Sequence, residues 1–145
     1  MSLTPTQKAL VKSSFEQVIP IADVATDLFY RRLFQLDPSL QALFRHDMTE
    51  QGRMLMQTIT IAVRSLDRLD SLVPALHELG KRHVGYGVPV ESYTTVGEAL
   101  LWTLEQGLGP DFTPEVREAW AHTYSLLATA AIEGAHMVEP EAAMA

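Results

Sequence analysis

His83 is the residue of this 145-residue sequence best placed to do chemistry. Leu72, Leu76, Leu79 and His83 follow one another at steps of four, three and four, so one helical face carries an apolar stripe that ends in an imidazole. Gly85 and Gly87 break the helix just beyond it. A histidine on such a stripe is more often a core residue than a ligand, and the stripe alone leaves both readings open. Its company bears on the choice. Other segments supply Phe29, Phe34, Phe44 and Leu55, with Tyr30 and Gln51 as hydrogen-bonding groups among them. An apolar pocket with few polar groups and one neutral imidazole suits a large, flat, apolar cofactor. Taken singly, Tyr30 reads equally as a core tyrosine bonded to a carbonyl, and Gln51 as a solvated residue of a first helical turn.

Helices must position these residues, and the punctuation predicts them. Thr4-Pro5-Thr6-Gln7 has the form of an N-cap, a first-turn proline and a capping-box partner, opening a helix through Val11, Phe15 and Val18. Pro20 ends it. A second helix over 21–36 carries Phe29, Tyr30, Leu33 and Phe34, and Asp37-Pro38 opens a short turn ending at Phe44. After a polar connector at 45–48, Leu55, Ile59, Ala62 and Leu66 mark a helix over about 49–66, with Gln51 one turn before Leu55 on the same side. A loop at 67–71 precedes the His83 helix. A further helix spans about 91–108 with Tyr93, Val96, Leu100, Leu101 and Leu104, and Gly109-Pro110 stops it. Thr113-Pro114-Glu115 opens the last helix, through Val116, Trp120, Leu127 and Ala131, with a frayed tail expected over 137–145. No segment alternates in the two-residue period of a strand. The expectation is an all-α fold in a single domain over 1–145.

Composition removes whole classes of function. With no cysteine there are no disulfides, thiolate metal sites or cysteine nucleophiles. A net charge of −7 without a basic run argues against nucleic acid or an anionic membrane as partner. The N-terminus lacks the pattern of a secretory signal, and no apolar run approaches the roughly 20 residues that span a bilayer, so a cytoplasmic location is expected. His77, His122 and His136 have no partner at metal-ligand spacing and read as surface residues. Met54 and Met56 read as core or gap filling.

Several strings together make the chain resemble the bacterial single-domain haemoglobins and the haem domain of flavohaemoglobins. They are Phe29-Tyr30-Arg31-Arg32-Leu33-Phe34, Leu43-Phe44, Gln51 with Leu55, Arg82-His83, Tyr93-Thr94-Thr95-Val96-Gly97, and Ala119-Trp120 with Tyr124. Their order and the 32-residue step from Gln51 to His83 match without a gap. The resemblance implies a globin fold around haem b, with His83 as the proximal iron ligand. The other ring nitrogen would donate to a backbone carbonyl near Leu79, fixing the tautomer. It places Tyr30 and Gln51 on the distal side as donors to a bound gas, and Phe44 against the macrocycle. Leu55, Leu79, Val88, Tyr93, Val96, Leu100 and Leu127 complete the pocket, with Arg82, Tyr86 and Arg45 as candidate propionate contacts. The family pattern also pairs Tyr93 and the proximal histidine with a glutamate on the last helix. Here Ala135 stands at that position, Glu133 lies on nearly the opposite helix face, and Glu139 comes a turn later.

The function implied is reversible binding of oxygen, carbon monoxide and nitric oxide, by a monomer or homodimer. Two alternatives follow from the same resemblance. One is nitric oxide dioxygenase activity, which needs electrons from a separate reductase because no reductase segment accompanies the globin sequence. The other is a haem-based gas sensor.

Overall fold

The computed structural model describes the backbone of residues 3–44 and 47–144, and side chains as far as Met137. Arg45 and His46 lie outside the described residues. Among the described residues all regular structure is helical. Six α-helices follow one another: α1 (Pro5–Val18), α2 (Ala22–Leu36), α3 (Met48–Arg64), α4 (Val73–Gly85), α5 (Ser92–Leu108) and α6 (Pro114–Met144). None of them is long and apolar enough to cross a membrane.

The punctuation acts largely as the sequence suggests. The Thr4 side chain accepts from the Gln7 backbone N–H at 3.1 Å, and the Gln7 side chain accepts from the Thr4 N–H at 3.0 Å, so two orphan donors of α1 are satisfied together. Asp37 caps the 3-10 turn Pro38–Leu43, and Asp47 caps α3. The segment expected as a loop at 67–71 is instead part of a 3-10 stretch, Leu66–Leu72, broken at Arg68. Leu66, fully buried, anchors it to the core. The backbone of α6 is helical to Met144, past the point at which a frayed tail is expected, and Glu139 has no described side chain.

Helix α4 ends on a Schellman motif. Gly87 takes φ +85°, while the Val88 N–H reaches the His83 carbonyl at 2.9 Å and the Gly87 N–H the Val84 carbonyl at 3.0 Å. The residue that carries the imidazole therefore also closes its own helix end.

Two packings set the frame. α2 lies against α5, and α6 packs on both α1 and α4. The α4–α6 crossing is close because two glycines remove side chains there. A Cβ at Gly80 would collide with the Ala131 backbone, and one at Gly134 with that of His77. The main core gathers Val11, Phe15, Val18, Leu66, Leu104 and Trp120, and a second cluster holds Phe29, Tyr30, Leu33, Leu40 and Ala99. α3 and α4 do not pack closely on each other, and each contributes a wall to the cavity described next.

Candidate functional site

A cavity of about 410 Å³ opens between α3, α4, α5 and α6. Leu55, Thr58, Ile59 and Ala62 line it from α3, Leu76, Leu79, Arg82 and His83 from α4, Tyr93, Val96 and Leu100 from α5, and Tyr124, Leu127 and Ala131 from α6. Several of these apolar side chains, among them Leu55, Leu79, Val96, Leu100 and Leu127, are only half-buried. An apolar guest would cover them.

Among the described residues His83 is the one imidazole on this wall, and its chemistry is set locally. Its Nδ1 lies 2.7 Å from the Leu79 carbonyl oxygen, one turn back along α4. A carbonyl can only accept, so Nδ1 carries the proton and Nε2 keeps its lone pair for a further partner. Burial pushes the imidazole pKa below its ordinary value. The Leu79 bond acts in the opposite direction, and the Arg82 guanidinium adds to the lowering. The neutral ring, the form that ligates a metal, is thereby favoured although a helix C-terminus would attract its cation. Among the described residues no cluster of three or more His, Cys, Asp or Glu could hold a metal ion.

The Tyr30 ring sits in the aromatic group beside the cavity, edge-on to Phe29 at 5.0 Å and to Phe44 at 5.4 Å between centroids. Burial pushes its phenol up to about 12, partly offset by hydrogen bonding to Gln51, so it remains a donor at neutral pH. Its hydroxyl donates to the Gln51 main-chain carbonyl at 3.5 Å, the outer limit of a hydrogen bond. Tyr93 lines the cavity with its ring centroid 6.2 Å from that of His83, and among the described residues its buried hydroxyl has no hydrogen-bond partner.

The globin family's sequence profile matches residues 27–131. The neuroglobin of Danio rerio is 32% identical over 91% of this chain and 92% of its own length. The chain belongs to the globin family. Two solved structures share this globin's fold. An engineered carbene transferase from Rhodothermus marinus, described as a candidate nitric oxide dioxygenase, superposes with a TM-score of 0.87 at 25% identity, covering 98% of this chain and 99% of its own. A hexacoordinated haem protein from an anhydrobiotic tardigrade superposes with a TM-score of 0.83 at 20% identity, covering 92% and 96%.

In this globin the cavity brings together the sequence candidates Leu55, Leu79, Arg82, His83, Val88, Tyr93, Val96, Leu100 and Leu127. Tyr30, Phe44 and Gln51 stand beside it and do not line it: Phe44 spends its ring on Tyr30 and Phe34. Tyr86 is 65% exposed with its ring 6.2 Å from His83, and Arg82 is exposed at the rim. Arg45 lies outside the described residues. Ala135 is 1% exposed, buried at the α4–α6 crossing, so that position of α6 brings no carboxylate there. Glu133 instead approaches His77, its carboxylate 3.6 Å from Nε2. Sequence reasoning left out Thr58, Ile59, Tyr124 and Ala131 as cavity walls. Ala131 could have been found one turn after Leu127 on the same face of α6, and Ile59 one turn after Leu55.

Proposed function

We propose that this globin holds haem b through His83 and reversibly binds oxygen, carbon monoxide and nitric oxide. One observation carries the reading: the imidazole at the wall of a 410 Å³ apolar cavity donates through Nδ1 to Leu79 at 2.7 Å, which leaves Nε2 as a ready ligand. Among the described residues His83 has no cluster of carboxylate or imidazole companions that could complete a metal site, so a metal there needs most of its ligands from a prosthetic group. The donor set fits haem, whose flat apolar body would meet the half-buried leucines and valines while Arg82 at the rim faces its acidic edge. When bound, haem supplies an iron atom able to coordinate a diatomic gas.

The distal contribution falls to Tyr30 and Gln51. The Tyr30 hydroxyl reaches the Gln51 main-chain carbonyl only at 3.5 Å, so little of that bond is lost when it turns to a polar ligand. A phenol donor to charge developing on the gas slows its release. Oxygen dissociation from the haem-loaded protein, followed by stopped flow, should be about tenfold faster in Tyr30→Phe than in wild type. Equal rates would return Tyr30 to a purely structural role.

A nitric oxide dioxygenase is the second reading, favoured by the description of the Rhodothermus marinus relative. Each nitrate formed from nitric oxide and dioxygen consumes one electron, so turnover needs a reductase to supply it. Sustained nitric oxide consumption under a continuous electron supply supports this activity; a single stoichiometric burst supports gas binding alone.

A further inference from the structure

On the solvent side of α2, Val24, Leu28, Arg32 and Leu36 stand four residues apart and form one row along the helix. Its three apolar members are not covered: Val24 is 58% exposed, Leu36 is 36% exposed and Leu28 is half-buried. α5 runs antiparallel beside the row, with Gly107 against the Ile21 side chain at one end and Trp102 against Arg32 further along. The Arg32 guanidinium lies 5.1 Å from the centroid of the Trp102 ring, and among the described residues it forms no ion pair. Its Nε is buried without a hydrogen bond, and Nη1 reaches the Gln35 side chain only at 3.5 Å. Glu105, one turn after Trp102, is exposed and likewise without an ion pair among the described residues. The antiparallel arrangement sets Glu105 toward the Val24 end of the row and Arg32 toward the other.

We propose that this face joins two copies of the chain about a twofold axis beside Leu28, with the apolar row of each covered by that of the other and Arg32 of each paired with Glu105 of the other. A contact between identical faces requires a surface complementary to itself. The row meets that requirement, because a twofold axis at its middle carries the Arg32 end of one copy onto the Glu105 end of the other, and an unpaired cation meets an unpaired carboxylate twice. Arginine and tryptophan are also the side chains that anchor the centres of protein interfaces, where surrounding apolar contacts exclude water. A second copy thus covers the exposed valine and leucines and satisfies both charges. None of these residues lines the His83 cavity, so the inference stands apart from the haem reading.

Sedimentation equilibrium of the full chain, from micromolar to millimolar concentration, tests it. The wild-type mass should rise from that of one chain to that of two. Arg32→Glu and Glu105→Arg each set like charges against one another twice, and each should raise the dissociation constant at least about tenfold. Arg32→Glu combined with Glu105→Arg exchanges the charges and should restore most of the wild-type affinity. Val24→Asp, at an exposed position outside the core, keeps the test decisive should a charge reversal fail to fold, and it should leave a monomer with an unchanged circular dichroism spectrum. A wild type that stays monomeric throughout, a dimer indifferent to these substitutions, or a pair of reversals that does not rescue association would each overturn the proposal.

Discussion

The α1–α6 junction and the His83 cavity treat buried polar groups in opposite ways. At the junction Trp120 Nε1 donates to the Ser14 hydroxyl at 2.8 Å, and that hydroxyl donates to the Leu10 carbonyl at 2.7 Å. Around them Phe15 and Trp120 pack with ring centroids 6.2 Å apart. At the cavity, among the described residues, Tyr93 keeps a buried hydroxyl with no partner, Tyr30 beside it reaches the Gln51 carbonyl only at 3.5 Å, and His83 uses one of its two nitrogens. Native interiors rarely leave such groups unmet, so each one calls for a reason such as a ligand or reaction that needs it. One end of the molecule spends its polar groups on stability, and the other keeps them available.

That contrast can be broken by removing hydroxyls. Ser14→Ala strips the Trp120 N–H of its acceptor inside the core and should cost about 1–3 kcal/mol in urea unfolding. Tyr93→Phe removes a hydroxyl that has nothing to lose, and the haem-free protein should be unchanged or up to about 1 kcal/mol more stable. Equal losses in the two variants would erase the difference between the regions. The smallest effect is that of pH. Because the folded pKa of His83 is lowered, the unfolded chain binds the proton more readily in the window between that value and the ordinary one near 6.5. The His83 contribution to haem-free stability is therefore whole above about pH 6.5 and falls as the pH drops below it. Parallel urea titrations at pH 7.5 and 5.5 should show less loss in His83→Gln than in wild type; identical losses would mean that the imidazole is not shielded as its burial indicates.

The sequence revealed what is local. The Thr4–Gln7 capping box, the cap at Asp37 and the glycine end of α4 all depend on residues within a few positions of one another, where spacing is informative, whereas the His83–Leu79 bond was implied by the family resemblance. Apolar periodicity likewise located most cavity-lining leucines and valines. The 3-10 stretch Leu66–Leu72 escaped because its polar residues read as loop while Leu66 is pulled into the core. Gly80 and Gly134 gave no sign of the α4–α6 crossing, since a glycine inside a helical pattern does not say what approaches it. The Tyr124 bond to Tyr93 was invisible for the same reason: contact across 31 residues is settled by helix packing, which periodicity does not encode. Phe44 kept its place in an aromatic group, but its ring faces Tyr30 and Phe34 and does not line the cavity.

The central claim is that His83 ligates haem iron, and the absorption spectrum of the ferrous carbon monoxide form tests it most directly. Haem-reconstituted wild type should give the sharp Soret band of a histidine-ligated six-coordinate complex. His83→Ala should lose that band and regain it when excess imidazole is added. An unaltered spectrum in His83→Ala without imidazole would contradict the account.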